Sequence, residues 1–98
     1  MGQIDRIKAD LAEIASRHDA PDLVQREVQK RIARFVKEAS EFYADEPDGK
    51  RLLRKDLSTL GDALHLETER SHPPALARAM DYAFEAVTKA LHPGRKPG

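Results

Sequence analysis

Apolar residues recur along this chain at steps of three and four, and that spacing divides it into four stretches. In the first, Ile4, Ile7, Leu11 and Ile14 line one side, with Ala15 beside them. In the second, Val24, Val28, Ile32, Phe35, Val36, Ala39 and Phe42 form one face, with Tyr43 at its edge. Leu53, Leu57, Leu60 and Leu64 make the seam of the third, widened by Leu52, Ala63 and Leu66. The fourth repeats the pattern with Leu76, Met80, Ala83, Phe84, Val87 and Leu91. Positions so spaced share one side of an α-helix, so the pattern predicts four amphipathic helices over about 3–18, 20–45, 50–69 and 72–91.

The breaks between these stretches carry turn chemistry. Pro21 is tolerated in a first turn, with Asp19 placed as an N-cap and Asp22 three residues on. Glu46-Pro47-Asp48-Gly49 is a strong turn signal. Ser71-His72-Pro73-Pro74 opens the last helix, with Ser71 or His72 at the cap and the prolines where no amide donor is needed. His92-Pro93-Gly94 stops it, and 93–98 reads as a disordered tail. Short connections predict sequential helices packed antiparallel, so the expected fold is all-α: an antiparallel bundle of four helices in one domain, 1–92. A three-helix core with a loosely docked first helix is the variant, because the first helix is shorter than the second. The second helix, roughly 39 Å long, outreaches its neighbours. An exposed apolar helix end commonly drives self-association, so a homodimer is expected. Gly61, inside the third helix, costs up to about 1 kcal/mol against alanine and marks a close helix contact or a kink.

Composition sharpens the fold and narrows the chemistry. Fourteen alanines against eleven β-branched residues favour helix over strand. Leu, Ile, Val and Phe total 21, enough for one modest core. The absence of cysteine excludes disulfides, thiolate metal sites and cysteine nucleophiles. No apolar run approaches the ~20 residues that span a bilayer. The opening MGQIDRIKAD lacks the apolar core of a signal peptide, so the expected location is the cytoplasm.

Charge is balanced in total, 17 basic against 17 acidic residues, yet arranged in blocks. Arg26, Lys30, Arg34 and Lys37 fall on one stripe of the second helix, with Arg31 nearby. The sign then flips through Glu38, Glu41, Asp45, Glu46 and Asp48, and flips back at Lys50, Arg51, Arg54 and Lys55. Acids at a helix C-terminus and bases at the next N-terminus oppose the helix dipoles. Cross-helix pairs of Glu41 and Asp45 with Lys50, Arg51 and Arg54 would offset that mismatch, at about 0–1 kcal/mol each.

Candidate chemistry beyond charge is sparse. Residues 57–76 have a loose helix-turn-helix outline, but Glu67 and Glu69 sit where phosphate would approach, so an ordinary helix pair is the better reading. His65 has Asp62 three residues before it and Glu69 four after, without the Glu-x-x-His pairs of a di-metal bundle. A phosphorelay histidine would carry Lys and Gly where His65 is followed by Thr68 and Glu69. His18, His72 and His92 close or open helices. Ser16, Ser40, Ser58 and Ser71 lack a nucleophile-elbow setting, no Gly-rich phosphate loop is present, and Glu38/Glu41 and Glu67/Glu69 read as outward charged faces. No catalytic residue, cofactor or metal is therefore assigned. The expected function is a non-enzymatic, regulatory protein–protein interaction module. Its contacts are Arg26, Lys30, Arg34, Lys37, Lys50, Arg51 and Arg54, and the alternative is a DNA-associated regulator using the same cations.

Overall fold

The computed structural model describes residues 2–70 and 72–92. These form four helices: α1 (Gln3–Arg17), α2 (Pro21–Phe42), α3 (Gly49–Thr68) and α4 (Pro74–Leu91). Among the described residues there is no strand, and no helix is long and apolar enough to cross a membrane. The tail expected at 93–98 lies outside the described residues.

Proline opens two of the helices. Pro21 and Pro74 are the first residues of α2 and α4, where a fixed φ is already helical and a missing N–H costs nothing. The caps are Ala20 and Pro73, neither of which has a side chain to cap with; Asp19 and His72 do not serve, and Ser71 lies outside the described residues. At its other end α2 stops at Phe42, three residues short of the expected Asp45. The Tyr43 amide still bonds to the Ala39 carbonyl at 3.0 Å, but Glu46 N–H then turns back to the Tyr43 carbonyl at 3.1 Å. Pro47 disfavours helical backbone at the residue before it, and acids at 41, 45 and 46 disfavour prolonging the helix at its negative end. At 22 residues α2 is still the longest helix, but it exceeds the 20 residues of α3 by only about half a turn.

The four apolar faces meet in one cluster. Ile7 and Leu11 come from α1; Val24, Val28, Ile32 and Phe35 from α2; Leu57, Leu60 and Leu64 from α3; Ala79, Met80, Ala83 and Val87 from α4. Helix α4 packs against all three others, most extensively against α3, and α2 meets α4 more than it meets α3. Alanines at 79, 83, 86 and 90 keep α4 slim enough for three neighbours to approach. The bundle is flattened, 42 × 38 × 22 Å, so its thin dimension is about two helix diameters. Helix α1 is fully part of this core, since both Ile7 and Leu11 are inaccessible to solvent.

Three positions leave the expected apolar faces, and one of them, Phe84, is 37% exposed beside the His65 ring. Phe42 keeps the core register of α2 yet is 79% exposed at the helix end, where it rests edge-on against Tyr43 with ring centroids 5.1 Å apart. Leu66 is 61% exposed, because two residues past Leu64 turns it roughly 200° from the seam.

Gly61 is a close contact rather than a kink. It is buried within an uninterrupted α3, and a Cβ there would lie 3.4 Å from Val87 Cγ1 on α4. That is ordinary van der Waals distance. Gly61→Ala is therefore expected to raise stability by about 0.5–1 kcal/mol through helix propensity, read as a higher midpoint in thermal unfolding. A lower midpoint would mean that α3 and α4 approach too closely for a methyl group.

Candidate functional site

The stripe of α2 is positioned by the core on its far side. Val24, Val28, Ile32 and Phe35 face inward, so Arg26, Lys30, Arg34 and Lys37 all project from the opposite side and are exposed. Neighbouring acids partly compensate them. Lys30 lies 3.7 Å from Glu27, and Arg34 Nε donates to Glu38 Oε1 at 2.8 Å. That hydrogen bond holds the Glu38 carboxyl below its ordinary range and raises the Arg34 guanidinium. Arg31 turns inward along the α1 side, where its Nε donates to Asp10 Oδ2 at 2.6 Å and ties α1 to α2. Among the described residues Arg26 and Lys37 have no ion-pair partner.

The second basic group stands at the start of α3. Lys50, Arg51 and Arg54 are exposed, but the expected cross-helix pairs with Glu41 and Asp45 are not made. Arg51 instead reaches back one turn to Asp48 Oδ2 at 3.1 Å. For Asp45 the reason lies in the turn: α2 ends at Phe42, so Asp45 lies beyond the helix. The dipole mismatch is relieved by Asp48, an acid at the α3 N-cap position. What binds the two helix ends is a neutral-to-anion contact, with the Tyr43 hydroxyl donating to Asp56 Oδ2 at 2.7 Å. That bond raises the Tyr43 phenol above its usual range. In the chain itself, Glu41, Asp45, Glu46 and Asp48 fall between Lys37 and Lys50, so acids interrupt the basic run.

One polar centre was not legible in the sequence. Glu67, read as an outward charge, has a side chain only 13% exposed and draws together three elements. Lys8 Nζ on α1 donates to it at 3.0 Å, His72 Nε2 in the α3–α4 connection lies 3.2 Å away, and Arg70 stands 3.9 Å off. The Lys8 hydrogen bond holds the Glu67 carboxyl below its ordinary range, outweighing the opposite pull of partial burial. Spacing could not reveal this, because Lys8 is 59 residues away. The sign follows from the lowered value. The contribution to stability is complete above the ordinary glutamate range, about pH 4–5, and is lost as pH falls through it toward the folded value. Glu67→Gln is thus expected to lower the urea midpoint at neutral pH and to converge with the parent chain in acid. Curves separated by a constant amount across that range would rule out Glu67 as the titrating group.

His65 is a surface residue. Its ring packs beside Phe84, centroids 5.7 Å apart, and its Nε2 lies 3.9 Å from Glu69. Asp62 does not join them, and among the described residues no group of three His, Asp or Glu side chains is placed to hold a metal ion. The site that remains is a cationic helix face on a compact all-α bundle. Comparison of the chain with known protein families, curated proteins and solved structures finds no match.

Proposed function

We propose that this bundle is a non-enzymatic, regulatory interaction module that binds an acidic protein partner through Arg26, Lys30, Arg34 and Lys37, with Lys50, Arg51 and Arg54 as a flanking group. The carrying observation is the α2 stripe: four exposed cations on one rigid helix face, two of them without an ion-pair partner among the described residues. Fixed charges of one sign set partner choice and orientation more than affinity. Glu27 and Glu38 interleave with the stripe, which disfavours a continuous duplex backbone over a discrete acidic surface. Self-association belongs to the same reading, supported by Phe42, a large apolar side chain 79% exposed beside Tyr43.

The test uses labelled polyglutamate and labelled duplex DNA in fluorescence anisotropy, at low and high salt. Polyglutamate is expected to bind the parent chain, and the double variant Lys30→Glu with Arg34→Glu is expected to weaken it about tenfold or more with helicity unchanged. Duplex binding that weakens steeply with salt would move the stripe to a DNA-associated regulator. Equal binding by parent and variant would remove the stripe from the reading altogether.

A further inference from the structure

The α2 stripe borders an apolar groove. Between α2 and α4 lies a shallow groove of ≈ 340 Å³, floored by Ile32 and Val36 and walled by Ala33, Ala86 and Ala90, with Lys89 on the α4 side. The alanines create it: Ala86 and Ala90 leave room where larger side chains would close the seam onto α2. Its size matches the small end of pockets that accept apolar groups. One lysine stands near each edge of the groove. Lys37 stands one turn after Ala33 on the exposed side of α2, Gln29 lines the groove one turn before it, and Lys89 lines the opposite wall. Among the described residues neither Lys37 nor Lys89 has an ion-pair partner. Glu85, one turn before Lys89 and also exposed, offsets part of the charge on that side, while Lys89 itself lines the groove.

We infer that this groove receives an amphipathic helix of a partner protein, its apolar face on Ile32 and Val36 and its acidic flanks on Lys37 and Lys89. The charge complementarity selects that occupant. An aliphatic stripe alone would leave the flanking ammonium groups unanswered, and an extended acidic chain would leave the groove empty. A helix carries apolar residues at three- and four-residue steps with acids on either side, matching both features at once. The inference rests on the partner-binding reading above and names the chemistry of that partner.

The chain contains no tryptophan, so a tryptophan on an added peptide reports its own burial. The probe is a synthetic amphipathic helix with leucines and one tryptophan on its apolar face and glutamates on both flanks. Binding is expected with a blue shift of tryptophan emission. Ala33→Glu, at an exposed helical position, is expected to weaken binding roughly tenfold and remove the shift while circular dichroism is unchanged. A peptide with lysines in place of the glutamates is expected not to bind. Binding without a blue shift, lost in the Lys30→Glu, Arg34→Glu variant but indifferent to Ala33→Glu, would overturn the groove and leave the stripe standing. No peptide binding, together with loss of self-association in Ala33→Glu by sedimentation equilibrium, would overturn the acidic-helix occupant and assign the groove to a second copy of this chain.

Discussion

Replacing Leu11 with alanine is expected to lower the free energy of unfolding by about 2–5 kcal/mol, a large share of the 5–15 kcal/mol that holds a domain together. Leu11 is one of only two residues that α1 buries completely, the other being Ile7. Its side chain belongs to the same cluster as Leu60, Leu64, Ala83 and Val87 from the other helices. Truncation removes apolar transfer energy and leaves a cavity in a site with little freedom to collapse, because α1 is tethered on both sides. Lys8 holds it to Glu67, and Asp10 holds it to Arg31. Urea unfolding followed by circular dichroism measures the loss. The expected result is a lower midpoint with an unchanged slope, the sign that all four helices unfold as one unit. A loss below about 1 kcal/mol, with faster amide exchange confined to 3–17, would instead describe a three-helix core carrying α1 as an appendage.

The elements were legible because the helical period is written in strong apolar residues. The stripes Val24-Val28-Ile32-Phe35 and Leu57-Leu60-Leu64 are buried as read. Residue spacing has no access to distances between helices, and the misreadings fall there. Glu67 was read as solvated because nothing near it in sequence predicts Lys8 across the bundle. Asp45 is expected to pair with the cations of α3 because spacing extends α2 to Asp45, and stopping at Phe42 removes that alignment. The α2 stripe was readable, since a helix face is a local property. The groove beside it was not, since it depends on which face of α4 meets α2.

Gly49→Ala is expected to cost about 1–3 kcal/mol, opposite in sign to the same substitution at Gly61. Gly49 begins α3, and a Cβ on it would run into the Tyr43 carbonyl oxygen, with the Tyr43 Cβ a further 3.4 Å neighbour. A flexible side chain could move aside, but this obstacle is backbone. The Tyr43 carbonyl accepts the Glu46 amide at 3.1 Å, and the Gly49 amide closes the turn onto the Glu46 carbonyl at 3.1 Å. The Tyr43 ring is also fastened to α3 through Asp56 at 2.7 Å. Relief of the clash must therefore open the turn or break the Tyr43–Asp56 bond. Loss of that bond has its own signature: the Tyr43 phenol, raised by Asp56, would titrate nearer its ordinary range in the variant. Removing the other tyrosine with Tyr82→Phe leaves Tyr43 as the sole phenol, so alkaline tyrosinate absorbance reads it directly. A lower unfolding midpoint joined to an earlier phenol titration locates the strain at the α2–α3 turn. Unchanged values for both would mean that α3 begins beyond Gly49, where the added methyl group meets only solvent.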